Sequence, residues 1–297
     1  MSQRQEALDM FHSNDLIGLG AEARAVRHRI HPECLITYDF IEAIDCALSI
    51  DEICESIDRL TCAPWPFLRL QVSQDCPSHI SFYEDLLCRT AKEGRPGDVS
   101  FAFFDISLIA DLCKLSISRT LATLRDAGLV FVLDEPGRVV SARDRKPSFS
   151  DSLNLHRLAH SLGLQTTFVI EYRTDQDIEQ RLDVLAAIGQ LQADTNGFLA
   201  FEVRMREATS VENLTMLALS RCYLDGIPNL EASAPLRDAK ARQLEISFGA
   251  NDFGNIPWAT GSRRLPDQIS EEQICCLIRD AGFTPRRRAS IYRTVCI

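Results

Sequence analysis

The 297-residue chain is 45% hydrophobic and 25% charged, a balance that supports one large core or two modest ones and excludes a disordered or low-complexity chain. Its 32 Lys+Arg stand against 42 Asp+Glu, a net charge of -10 that argues against a nucleic-acid backbone or an anionic membrane as partner. The start, Met1–Glu6, lacks the apolar stretch of a signal peptide and no later run has the length of a membrane span, so a cytoplasmic location is expected. The eleven cysteines, an odd count in a leaderless chain, read as thiols, several of them buried, rather than as a disulfide framework.

Hydrophobic periodicity switches repeatedly between two and about 3.6 along the chain, which predicts strands alternating with helices. A helix is expected over Gln5–His28. Eight strands follow, at Cys34–Phe40, Phe67–Val72, Val99–Phe104, Leu129–Leu133, Thr166–Ile170, Phe198–Val203, Asn229–Ala232 and Leu244–Phe248. Ser49-Ile50-Asp51-Glu52 and Ser270-Glu271-Glu272-Gln273 have the spacing of capping boxes, in which a hydroxyl and a carboxyl or amide close the free amides of a helix start. The first leads into Ile53, Ile57 and Leu60 on one face; the second leads into Ile274, Leu277 and Ile278 and ends near Gly282. Helices are also expected over Asn154–Leu162 and from about Asp175 to Gly197.

Ile109–Leu129 has the outline of a helix-turn-helix, but the acidic balance and flanks that continue the strand–helix alternation favour a helix pair of the same fold. Eight alternations without a linker point to an α/β fold, a single (β/α)8 TIM-barrel-like domain. Its expected extent is 31–297, after an N-terminal helical extension over 1–30.

Three late segments carry more specific information: Leu191-Gln192-Ala193-Asp194-Thr195-Asn196-Gly197-Phe198, then Leu224-Asp225-Gly226-Ile227-Pro228-Asn229, then Phe248-Gly249-Ala250-Asn251-Asp252-Phe253-Gly254. Earlier ones are Asn14-Asp15-Leu16, Phe82–Leu87, Ser116–Leu129 and His156–Leu164. In identity and order these segments resemble the menaquinone-pathway radical-SAM enzymes, the dehypoxanthine futalosine cyclases and aminofutalosine synthases, and their deazaflavin-forming relatives. The resemblance covers nearly the whole chain and implies a radical-SAM-like barrel and a small molecule of the futalosine route as ligand.

The departures from that family fall at its cofactor-binding turns. The family holds a [4Fe–4S] cluster on a CxxxCxxC loop after the first strand, and no such triplet occurs here; only Cys46 lies in the corresponding stretch. Two glycine-rich turns of the family are replaced by Gln71–Pro77 and Asp134-Glu135-Pro136-Gly137-Arg138, a Gly-His pair by Glu171-Tyr172-Arg173, and an apolar strand end by Glu202-Val203-Arg204. The expectation is therefore that no cofactor is bound, neither the iron–sulfur cluster nor S-adenosylmethionine, and no metal. Catalytic residues are left unassigned.

In a (β/α)8 barrel functional groups sit where strands end, which selects Asp39, Asp105, Asp134, Glu171, Glu202, Arg204, Asn251 and Asp252 as candidates. Carboxylates around a barrel mouth can act as acid and base, or they can simply face water and pair with arginines such as Arg69, Arg138 and Arg173. Asn251 and Asp252 fall in a segment that lies beside the substrate in the resembled enzymes; next to Gly249 and Gly254 they are equally natural turn formers. His156 and His160 share a helix face, without a third metal ligand in the pattern. Cys275-Cys276 reads as one packed and one half-exposed thiol, and Arg286-Arg287-Arg288 as a solvated turn.

Three functions remain open: a small-molecule binder or a partner subunit of an active paralogue or of a second copy; an enzyme using acid/base chemistry at Glu171 and Glu202 with Arg204 on an anion; or radical chemistry on atypical thiolates such as Cys46, Cys34 and Cys76.

Overall fold

A computed structural model describes residues 3–60, 66–92, 99–135, 148–257, 269–288 and 292. The first four of the nine strands are β1 (Leu35–Asp45), β2 (Phe67–Gln71), β3 (Val99–Ala102) and β4 (Phe131–Leu133). They are followed by β5 (Gln165–Arg173), β6 (Phe198–Arg206), β7 (Asn229–Glu231), β8 (Asp252–Pro257) and β9 (Thr284–Arg287). The helices of the first half are α1 (Gln3–His12), α2 (Leu16–Ile30), α3 (Ile50–Asp58), α4 (Ile80–Lys92), α5 (Phe103–Cys113) and α6 (Ile117–Asp126). Those of the second half are α7 (Phe149–Ser161), α8 (Ile178–Thr195), α9 (Ser210–Tyr223), α10 (Ala239–Ser247) and α11 (Glu271–Asp280).

The strands run in the order β2-β3-β4-β5-β6-β7-β8-β1-β9, and an additional β2–β1 pairing closes the ring: a (β/α)8 barrel, as expected. The length of β1 explains how it serves both neighbours on one edge, since Leu35–Tyr38 pair with Thr284–Arg287 and Ile41–Asp45 pair with Phe67–Gln71. Every register that is defined is parallel.

By contacts the chain divides into two compact units. One comprises Met1–Asp39, Phe168–Ile256 and Arg264–Arg287; the other Phe40–Thr167, Pro257–Arg263 and Arg288–Ile297. The second unit has its own apolar core, in which Ile53, Ile57 and Leu60 of the α3 segment meet Leu70, Tyr83, Leu86, Phe101 and Leu124. Burying side chains of this size stabilises by about 1.5–3 kcal/mol each before entropy is charged against it. In the first unit Leu182, Leu185 and Ile188 of α8, Met216 and Leu217 of α9, and Phe168, Phe198 and Phe201 of the sheet are buried.

Both predicted capping boxes form: Ser49 accepts from the Glu52 amide while Glu52 accepts from that of Ser49, and Ser270 and Gln273 repeat the exchange. The Ile109–Leu129 stretch is the α5–α6 pair joining β3 to β4, with Lys114 in the left-handed region between the helices. Two expectations are corrected. The single N-terminal helix is two, because Ser13 and Asn14 break it and Asp15 caps α2 through the Gly18 amide at 2.8 Å. Leu244–Phe248 is no strand: it is the end of α10 and the turn after it, and β8 begins only at Asp252. A ninth strand, Thr284–Arg287, was not anticipated; Thr284 and the residues after it extend the sheet along the first half of β1.

Candidate functional site

The retained sequence segments prove to be scaffold. Leu224–Asn229 leads into β7, and its carbonyls are gripped from within by Arg221 of α9, which is 2% exposed. The Arg221 guanidinium donates to Leu224 O at 3.3 Å, Ile227 O at 2.5 Å and Pro228 O at 3.2 Å; Gln192 donates to Gly226 O at 3.0 Å. Phe248–Gly254 leads into β8. Gly249 sits at φ 107°, where a side chain is strained, and a Cβ there would stand 3.0 Å from both Ala23 of α2 and the Arg221 stem. Gly254, at φ 89°, gives way in the same manner to the Arg242 guanidinium, which reaches the carbonyls of Ala234 and Phe253.

Asn251 and Asp252 belong to this lattice, and they stand at the beginning of β8 rather than at a strand end. Asn251 Oδ1 accepts from the Leu230 amide at 2.8 Å and its Nδ2 donates to Asn229 Oδ1 at 2.9 Å. Asp252, fully buried, accepts from the Gly254 amide at 2.6 Å and from the Thr37 hydroxyl. Asp39 is likewise buried and lies 3.6 Å from the Arg287 guanidinium of β9, so Arg287 is no solvated turn residue.

Glu171, Glu202 and Arg204 do come together. On β5 the Tyr172 hydroxyl donates to the Arg181 carbonyl of α8, so by strand alternation Glu171 faces away from that helix. Phe201 stacks on Phe168, on the α8 side of the sheet, which puts Glu202, Arg204 and Arg206 of β6 on the face that Glu171 occupies. There Arg204 grips Glu202 through both carboxylate oxygens, Nε to Oε1 at 2.7 Å and Nη2 to Oε2 at 2.8 Å, and Arg206 lies 3.0 Å from Glu171. Burial pulls the Arg204 guanidinium down, but Glu202, with Glu231 and Glu171, outweighs it and holds the group above its ordinary pKa.

Two members of this group, Arg206 and Glu231, were not among the sequence candidates. The first had a legible signal, since Glu202, Arg204 and Arg206 recur at the strand period; Glu231 is placed by register, directly opposite Glu202. The arrangement is a polar face with three carboxylates, of which Glu202 and Glu171 are largely buried, and two guanidiniums whose side chains remain 41% and 59% exposed. It can hold a small polar molecule and can supply hydrogen-bond donors of fixed geometry.

In the other unit Asp105, fully buried, is structural: it accepts from the Ala102 and Val72 amides at 3.2 and 2.8 Å and lies 3.5 Å from Arg69. Glu135 closes the other side of Arg69 at 2.7 Å; Pro136, Gly137 and Arg138 lie outside the described residues. Asp134 lies 3.8 Å from His156 Nε2, while His156 Nδ1 and His160 Nε2 each meet the Thr166 hydroxyl at 2.9 Å. The two histidines therefore share a threonine. Burial, with His156 and Arg157 adding to it, lowers His160 to about 4. A base whose folded pKa lies below its unfolded one contributes stability above the unfolded value, near 6.5, that is lost as pH falls toward the folded value. Wild type should thus lose stability between pH 6.5 and about 4 more steeply than His160→Asn, measured by urea unfolding of both at several pH values.

Residues 184–296 match the family model described as the CofH/MqnC C-terminal region. Across 99% of this chain and 85% of the relative, the sequence is 24% identical to the cyclic dehypoxanthine futalosine synthase of Streptomyces coelicolor. Across 72% of the chain and 65% of the relative, it is 27% identical to the aminodeoxyfutalosine synthase of Thermus thermophilus. The C-terminal third of the chain and more therefore carries the signature of this family's C-terminal region. Among solved structures, methylornithine synthase (PylB) superposes with a TM-score of 0.66 at 17% identity, covering 96% of this chain and 94% of that one. The FeFe-hydrogenase maturase HydG of Carboxydothermus hydrogenoformans gives 0.68 at 16%, covering 96% and 76%. These two support the fold.

The matched C-terminal region and the two synthases named above point to the futalosine-pathway, radical-SAM enzymes as what this chain is similar to. That similarity corrects the expectation of no cofactor, because the relatives are radical-SAM enzymes, which need an iron–sulfur cluster and S-adenosylmethionine. The described side chains do not fit the family's usual cluster loop. Cys34 and Cys46 flank opposite ends of the eleven-residue β1, Cys54 is buried on α3, and the Cys76 thiol accepts from the Ser73 amide at 3.2 Å. Among the described residues no group of three or more His, Cys, Asp or Glu is placed to hold a metal ion; Cys62 and Cys296 lie outside them. Cys275 meets the Tyr38 hydroxyl at 3.4 Å and Cys276 is exposed. No helix among the described residues is long and apolar enough to cross a membrane.

Proposed function

We propose that this protein is a CofH/MqnC-like small-molecule-binding protein of the futalosine route, acting as a binder or as the partner subunit of an active paralogue. Its ligand is taken on the β5–β7 face that carries Glu171, Glu202 and Arg204. The observation that carries the reading is the Glu202–Arg204 fork, with contacts at 2.7 and 2.8 Å, on a strand face turned away from the helices. A guanidinium held by a carboxylate on the same strand keeps its remaining N–H groups in one orientation, which costs a ligand little ordering entropy on binding. The match of the C-terminal region supports the ligand class, and the relatives that are named for dehypoxanthine futalosine and aminodeoxyfutalosine supply the compounds to try.

Calorimetric titration of the full chain with dehypoxanthine futalosine and with aminodeoxyfutalosine is expected to show saturable binding of at least one. Glu202→Gln or Arg204→Ala should weaken it by about ten-fold or more, the usual scale for a lost charge-assisted hydrogen bond. Absence of binding to wild type would defeat the proposal. So would stoichiometric 5′-deoxyadenosine release with turnover of either compound after anaerobic reconstitution, which would make the chain a catalyst.

A further inference from the structure

We propose that Arg204 forms an oxyanion subsite, taking a carboxylate or phosphate group of the bound molecule and so setting its specificity; this deepens the ligand-binding reading above and rests on it. The Glu202 carboxylate occupies Nε and Nη2 of Arg204 and none of Nη1. Among the described residues Nη1 of Arg204 has no hydrogen-bond partner, and the Arg204 side chain is 41% exposed while that of Glu202 is only 10% exposed. The inner edge of the fork is thus buried and fixed, and its outer edge is presented to whatever lies on this face.

An unmet guanidinium edge donates in the plane of the group, where carboxylate and phosphate oxygens accept best. The neighbouring carboxylates do not compete for it equally. Glu171 is engaged 3.0 Å away by Arg206, two residues further along the strand, which places a second partly exposed cation on the same face. A neutral polar ligand would gain less here, because a hydrogen bond from the guanidinium to a neutral acceptor is weaker than one to an ionised oxygen.

The test uses the full chain and three simple probes of one shape and size class: malonate, inorganic phosphate and neutral malonamide, followed by calorimetry or by nuclear magnetic resonance of labelled arginine side chains. Malonate or phosphate is expected to bind saturably, and whichever binds more tightly identifies the ligand group. Arg204→Ala should weaken it by about ten-fold or more, and Arg204→Lys, which keeps the charge but not the planar fork, by about three-fold or more. Both variants should unfold with the wild-type cooperativity, since Arg204 packs on a strand face rather than in a core; Arg204→Lys carries the test if the alanine variant does not fold. Equal affinity in the variants and wild type, binding of malonamide as tight as that of malonate, or no saturable binding of either anion would overturn the subsite. Loss of futalosine-compound binding with the anion response intact would instead defeat the ligand reading.

Discussion

Replacing Glu245 by alanine is expected to destabilise the fold by about 3–5 kcal/mol, read from urea unfolding, because it strips a buried constellation of its only acceptor group. Glu245 is fully buried on α10. Its carboxylate accepts from the Ser233 amide at 2.8 Å, the Ala234 amide at 3.0 and 3.1 Å, the Ser233 hydroxyl at 3.1 Å and the Asn213 amide group at 2.6 Å. Alanine would leave these donors without their acceptor and remove one of the carboxylates that, with Glu202, Glu231 and Asp252, face Arg242. Glu245→Gln keeps the volume and one acceptor oxygen but turns an NH₂ toward amides, so an intermediate loss is expected. A pH signature separates the two effects. Burial pushes Glu245 up from its ordinary carboxyl value, against the opposing pull of the Ala234 amide, Asn213, Arg242 and Ser233. A carboxyl raised in the fold contributes most below its unfolded pKa and loses that contribution as pH rises, so the deficit of Glu245→Gln should shrink from pH 4 to pH 7.

The same helix shows where the sequence misleads. Leu244-Glu245-Ile246-Ser247-Phe248 alternates apolar and polar at the strand period, yet it belongs to α10 and its C-terminal turn. The alternation is accidental to the fold: Leu244 is 50% exposed, while the polar Glu245 and Arg242 are buried because they grip loop carbonyls and amides. Helix formers over Ala239–Gln243 and the Asp238 cap on the Ala241 amide at 3.1 Å override the short-range pattern. Where burial follows hydrophobicity, as over Ile53, Ile57 and Leu60, pattern and structure agree. Where burial follows hydrogen bonding, periodicity carries no information.

The candidate site divides along the same line. Glu202 and Arg204 were legible because they lie two apart on a strand whose opposite face is apolar, so alternation puts both on one face, although β6 continues past them to Arg206. Asn251 and Asp252 were misplaced to a strand end by the error at Leu244–Phe248; once β8 starts at Asp252, they are the entry to the strand, tied to Thr37 and Asn229. Retained glycines there reflect the approach of two buried arginines, a cause that no local motif discloses. A segment shared with a family can thus be shared for packing.

The second large effect concerns one of those arginines. Arg221→Met is expected to cost about 3–5 kcal/mol, measured by denaturant unfolding, although methionine suits the apolar surroundings better than a guanidinium does. Burial lowers Arg221 to about 10, with Asp225 and Cys222 opposing, so the side chain is still charged at neutral pH and its desolvation is offset chiefly by carbonyl dipoles. Those are Leu224 O, Ile227 O and Pro228 O, the acceptors of a tight turn; the Ile227 amide at 3.0 Å and His31 Nε2 at 2.8 Å also meet the first and the last. Removing the guanidinium removes the desolvation cost but strands Ile227 O and weakens the hold on its two neighbours, and the turn cannot open to water without displacing Gly249, where a Cβ would already stand 3.0 Å from Ala23 of α2 and from the Arg221 stem. Arg221→Lys should recover part of the loss, since an ammonium reaches one or two of the three oxygens. If Arg221→Met unfolds at the wild-type midpoint, the carbonyl lattice is not what holds this turn, and the retention of Leu224–Asn229 needs another cause.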